Sequence, residues 1–168
     1  MQPTSPAPLA DATGSLVSHA AGETRAVGRA LGRAAPPGTT IALVGPLGAG
    51  KTQLAKGVAE GLAITTVVNS PTFVLMNEHV GRLRLYHVDA YRLDEPDEAP
   101  AAGLFDERQS GGVTVIEWAD RLDGYLPIER LDIAIAPDPR SGDRRTLRWR
   151  AHGRQHAALA DALRTIRA

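Results

Sequence analysis

The sequence predicts an α/β fold, a three-layer α/β/α arrangement around a mixed sheet. Three observations predict it. Short apolar runs rich in β-formers alternate with amphipathic helical segments along the chain. One run, residues 40–44, passes through a glycine-rich turn directly into a helix. Two later runs meet at a turn near Gly81, short enough to demand antiparallel pairing, so the sheet cannot be all parallel.

The elements follow in order. Residues 1–20 are rich in Pro, Ala, Ser and Thr and read as a flexible arm, leaving residues 21–168 as a single domain. Residues 23–35 form an amphipathic helix with Val27, Ala30, Leu31 and Ala34 on one face, stopped by Pro36-Pro37-Gly38. Residues 40–44 (TIALV) read as a buried strand, and residues 51–60 as the helix after the glycine turn. Residues 73–77 and 82–88 are the hairpin strands. Residues 94–102 carry charge, two prolines and a short helix at most. Residues 112–117 (GVTVIE) and 131–136 read as strands, and 146–150 as a strand of polar alternation. A last helix, 156–166, buries Leu159, Leu163 and Ile166.

Composition narrows the function classes. The 168 residues include no cysteine, which excludes disulfides, thiolate metal sites and cysteine nucleophiles. The 19 basic residues balance 19 acidic ones, so a globally basic nucleic-acid binder is not indicated. Charge is nevertheless uneven: residues 140–168 hold eight arginines against Asp143 and Asp161, while residues 78–107 lean acidic. The start lacks the cationic and apolar pattern of a signal peptide, and no apolar run approaches the ~20 residues of a membrane span. A cytoplasmic protein is the expectation. Lysine is rare, at positions 51 and 56 only.

The first of those lysines closes a motif. Gly45-Pro46-Leu47-Gly48-Ala49-Gly50-Lys51-Thr52 matches G-x-x-x-x-G-K-[ST], with a strand before it and a helix after it. Glycines let the backbone approach a phosphate with no Cβ in the way. The turned N–H groups form an anion cup, and the helix N-terminus adds its dipole. Lys51 reaches the β- and γ-phosphates and the Thr52 hydroxyl ligates Mg²⁺. The fold expected is therefore P-loop NTPase-like, with a nucleoside triphosphate and Mg²⁺ as ligands; Gln53, next on the helix, joins the nucleotide-binding set.

A phosphate-loop enzyme needs a second metal anchor, usually an acid ending a neighbouring strand. Glu117, after Val115 and Ile116, fits best. Asp89 ends the strand 82–88; it holds the attacking water, sits behind the metal, or caps a turn. Thr72 either senses the γ-phosphate or does ordinary turn chemistry. Trp118 packs beside the nucleotide or in the core. His19, His79, His87, His152 and His156 form no convincing metal cluster. A guanine-reading Asn-Lys-x-Asp motif is impossible with these two lysines. A small-molecule kinase and a nucleotide-gated assembly module stay open as alternatives to an ATPase.

Several segments in one order resemble the bacterial TsaE (YjeE) ATPases: the loop at residues 45–52, Asn69-Ser70-Pro71-Thr72-Phe73, Tyr86-His87-Val88-Asp89-Ala90-Tyr91-Arg92-Leu93, Gly103-Leu104, and Val115-Ile116-Glu117-Trp118. The resemblance spans about residues 23–131. It implies an ATPase that assists threonylcarbamoylation of adenosine 37 in tRNAs reading ANN codons. The partners it implies are the threonylcarbamoyltransferase subunit and that subunit's inactive paralogue, with direct tRNA contact left open. By the same resemblance Thr52 and Glu117 hold Mg²⁺, Asp89 is required for hydrolysis, and Thr24 lies near the adenine. An arginine after the late strand nears the nucleotide, with Arg144 and Arg145 both candidates. Arg92 is a candidate charge stabiliser or a structural residue. The sequence departs from the family where Pro46 replaces a common acid and where D-A-Y-R stands for the usual D-L-Y-R.

Overall fold

A computed structural model describes residues 12–69, 71 and 75–166. Its framework is one seven-stranded sheet in the order β1-β7-β6-β2-β5-β4-β3. The centre is parallel: β2 (Thr39–Val44) lies between β5 (Val113–Glu117) and β6 (Arg130–Asp138), and β4 (Arg84–Asp89) continues the parallel run beside β5. At one edge β3 (Met76–Val80) pairs antiparallel with β4, as the turn near Gly81 predicts. At the other, β7 (Ser141–His152) folds back on β6 and β1 (Ala12–Ser18) closes the sheet antiparallel to β7.

Layers form because the strands alternate. Ile41, Leu43, Val113, Val115, Ile133 and Ile135 turn to one face and meet α1 (Ala21–Ala34), α2 (Lys51–Gly61) and α4 (Arg154–Arg164). Ala42, Val88 and Ile116 turn to the other, where α3 (Glu98–Ala101) and a 3₁₀ turn at Ala119–Tyr125 make a thinner cover. The mixed α/β sheet expected from the sequence is the sheet observed. Phe73, Ser70, Thr72 and residues 1–11 lie outside the described residues.

Two expectations are corrected. Residues 12–18 are not an arm: they form β1, paired in register from Ala12 opposite Ala151 to Ser18 opposite Arg145. The Pro, Ala, Ser and Thr content suggested flexibility, but the segment is fitted to its neighbour: Gly14 lies directly against the Trp149 ring. A Cβ there would stand 2.6 Å from Trp149 Cε2. Leu16 adds an apolar contact to the core, and the free edge of β7 supplies the ladder. The second concerns α1. Its buried face runs through Thr24, Val27, Gly28, Leu31 and Gly32, whereas Ala34 is exposed and Ala30 half-buried. The helix is turned toward its glycines because α2 docks there backbone to backbone. A Cβ on Gly28 or Gly32 would collide with the carbonyls of Leu54 or Val58, and one on Gly57 or Gly61 with those of Arg25 or Arg29. Glu60 on α2 closes the exposed side of this seam by bonding Arg29 (2.8 Å) and Arg25. Arg82 caps α1 from the hairpin, donating to the carbonyls of Gly32 (2.7 Å) and Ala35 (3.0 Å).

Candidate nucleotide-binding site

β2 is buried along its length, and its last residues deliver the loop at the C-terminal end of the parallel strands. Gly48 (φ +77°) and Gly50 (φ +108°) take left-handed backbone that a side chain would strain. Gly45 packs so closely that a Cβ would lie 2.5 Å from Ile135 O. Pro46 contributes only its carbonyl, which accepts from Ala49 N–H (3.1 Å), so the atypical side chain leaves the turn intact. Leu47, at 80% exposure, projects from the loop tip.

The parallel wall holds the reactive groups. Pairing sets Leu43 and Asp89 opposite Glu117, so three neighbouring strands end together beside α2. The Thr52 hydroxyl donates to Glu117 Oε1 (2.8 Å), and His87 Nε2 stands 2.6 Å from Glu117 Oε2. Lys51 is buried, with Nζ donating to Gly45 O (2.6 Å) and Pro46 O (2.8 Å) and lying 3.9 Å above the Trp118 ring. Burial pulls its pKa below the ordinary lysine value, against the opposing pull of Glu117, Asp120 and Asp89. Trp118 takes left-handed backbone (φ +58°), and its ring meets Tyr91 at a 47° tilt with centroids 4.8 Å apart. It serves both expected places, lining the cleft and packing against the thinner core layer. Asp89 shows the turn-capping contact, Oδ1 accepting from Tyr91 N–H (2.9 Å), and the residue also lines the cleft.

A cleft of about 440 Å³ joins Leu47 and residues 48–53 to Asp89, Tyr91, Glu117 and Trp118. On the other side of the loop a smaller one, about 190 Å³, is lined by Ala21, Thr24, residues 48–50, Gln53, Asp143 and Arg145. Thr24 is buried there, its hydroxyl bonded to Ser18 Oγ (2.8 Å). Of the two candidate arginines, Arg145 touches the loop, donating from Nε to Ala49 O (3.0 Å); Arg144 instead faces Asp138 (3.8 Å). Arg92 is exposed, and among the described residues no arginine lines the larger cleft.

A backbone cup at a helix N-terminus with a buried cation beside it suits a polyphosphate. The hydroxyl of Thr52 and the carboxylate of Glu117 are hard oxygen donors already converging at that cup, a donor pair that fits Mg²⁺. Gln53 lines both clefts. Sequence reasoning missed the contact of His87 with Glu117, the placement of Tyr91 and the position of Asp143. The signal for His87 was its spacing: it lies two residues before Asp89 on one strand and so faces the same way.

Comparison with known proteins agrees with this geometry. The family model described as "Threonylcarbamoyl adenosine biosynthesis protein TsaE" matches residues 18–146. The chain is similar to the tRNA threonylcarbamoyladenosine biosynthesis protein TsaE of Bacillus subtilis, 43% identical over 143 residues, 84% of this chain and 87% of the relative. The protein of the same description from Treponema pallidum is 40% identical over 119 residues, 71% of this chain and 88% of the relative. Among solved structures, Bacillus subtilis YdiB superposes with a TM-score of 0.75 at 34% identity, covering 92% of this chain and 96% of that one.

Proposed function

The chain belongs to the TsaE family, which serves threonylcarbamoyladenosine biosynthesis in tRNA, and from that premise we propose that it is a Mg²⁺-dependent ATPase of that pathway. The observation that carries the reading is the convergence of Thr52, Glu117, Lys51 and Asp89 on one cleft beside the phosphate loop. The triphosphate lies along the loop, with Lys51 leaving its carbonyl contacts for phosphate oxygens. Thr52 and Glu117 hold Mg²⁺, which when bound neutralises charge on the β- and γ-phosphates. Asp89 orients the attacking water from the mouth of the cleft. The smaller cleft, with Thr24, Gln53 and Arg145, takes the base and sugar.

The partners are the threonylcarbamoyltransferase subunit and its inactive paralogue, with tRNA as the substrate of the assembly. A positively charged stabiliser of the transition state is worth ~10³–10⁵ in rate, and among the described residues no arginine lines the larger cleft. Hydrolysis by the isolated protein is therefore slow and is accelerated by the partners. Phosphate release from Mg²⁺-ATP, measured with and without the two transferase subunits, tests this. Equal rates would sink the activation. A phosphorylated small molecule in place of free phosphate would identify a kinase instead. Full tRNA modification by an Asp89→Ala variant that no longer hydrolyses ATP would favour a nucleotide-gated assembly module.

A further inference from the structure

His87 is polar, fully buried (0% exposed) and sits between Tyr86 and Val88 in an otherwise apolar stretch of β4. A buried polar ring is costly unless a partner is held for it. Nδ1 has no hydrogen-bond partner among the described residues, while Nε2 lies 2.6 Å from Glu117 Oε2. A carboxylate oxygen only accepts, so Nε2–H is the donor of this contact. The strand register explains the contact. His87 pairs with Val115, one pleat below the Asp89–Glu117 pair, and its side chain points to the same face as Glu117. The carboxylate is thus held from below by one oxygen while the other meets Thr52 at 2.8 Å.

We propose that His87 is a positioning residue for the metal–nucleotide site: its Nε2–H fixes the Glu117 carboxylate so that Oε1 is presented beside Thr52. The proposal rests on the reading that Thr52 and Glu117 hold Mg²⁺ with the nucleotide. An outer partner that orients a ligating carboxylate is typically worth about 10–100-fold in metal affinity. Without the donor, Glu117 gains rotamer freedom and the site must order it each time metal binds. With the donor, the rotamer is set before the nucleotide arrives.

The test is equilibrium binding of a fluorescent ATP analogue to the full chain, titrated with Mg²⁺ and repeated in EDTA. His87→Leu should raise the Mg²⁺ concentration needed for tight binding about 10–100-fold and leave the affinity in EDTA unchanged. His87→Gln places an amide donor at the same number of bonds from Cβ and should recover most of the loss. In a Glu117→Ala background, His87→Leu should change the Mg²⁺ dependence no further. Should the leucine variant not fold, His87→Met takes its place opposite His87→Gln. An unchanged Mg²⁺ dependence in the donor-less variants, an equal loss in EDTA, or a full effect without Glu117 would each overturn the positioning role. A wild-type affinity indifferent to Mg²⁺ would overturn the metal reading and this one with it.

Discussion

The phosphate loop has two unlike walls. The parallel wall, β4 and β5, is buried throughout: all of Val113–Glu117, and Leu85 through Val88. The polar groups His87 and Glu117 there are bonded to one another. The antiparallel wall, β6, β7 and β1, alternates: Leu131, Ile133, Ile135, Leu147 and Trp149 face the core while Ala134, Ala136, Arg148 and Arg150 are exposed. Its polar groups pair near the surface, as Arg130 and His152 do with Asp132 (both 2.8 Å). A dry wall strengthens every interaction of a reacting phosphate and metal; a wet wall can grip and orient but stabilises developing charge weakly. The proposed function accordingly assigns chemistry to the first wall and recognition to the second.

The largest expected effect tests the dry wall. Asp89→Ala should lower the hydrolysis rate about 10²–10⁴-fold in a phosphate-release assay, with nucleotide affinity retained. A loss of affinity of the same size would make Asp89 a binding group and blur the division. In the wet wall, Gly14→Val drives a side chain into Trp149 and should cost about 1–3 kcal/mol, read as a lower midpoint in urea. Nucleotide affinity of the folded fraction should hold; if it falls in step, the antiparallel wall is more than a scaffold. Smaller again, Arg145→Ala removes charged hydrogen bonds to the loop carbonyls. It should weaken nucleotide binding by about 1.5 kcal/mol, roughly tenfold, with kcat little changed.

The smallest effect concerns His156, at the seam between α4 and β2. Its buried Nε2 accepts from Thr40 N–H (3.0 Å). Burial lowers its pKa from the ordinary 6.5, opposed by Glu129 and helped by His152. Above that value folded and unfolded chains both hold the ring neutral. As pH falls below 6.5, the unfolded chain takes up a proton that the folded chain refuses, so stability declines. His156→Gln should flatten part of the fall of Tm with acid, leaving the share of His79, which burial also lowers. An unaltered slope would place the acid sensitivity elsewhere.

The two walls were also unequally legible. Beside the dry wall the strands are short β-prone runs rich in apolar residues, and the loop has a fixed spelling, so β2, α2, β5 and the candidacies of Lys51, Thr52 and Glu117 could be read locally. What could not be read there was register, which alone brings His87 and Asp89 to Glu117. In the wet wall the signals are weak. β7 runs from Ser141 to His152, longer than the 146–150 expected, because its arginine-rich start is held by the β6 hairpin and not by apolar pattern. β1 is a strand only because β7, far away in sequence, offers it an edge and a tryptophan. The choice of Arg145 over Arg144 likewise follows from which side of that hairpin faces the loop.

The glycine seam between α1 and α2 has a mechanical consequence. With carbonyls lying where side chains would otherwise interleave, no compliant layer separates the two helices. They form a single stiff beam, with Thr24 near the start of one rail and Thr52 at the start of the other. Both threonines stand at the same end of that beam, with a Cβ on Gly50 only 3.6 Å from Thr24 Cγ2, so the linings of the two clefts are carried by one rigid body.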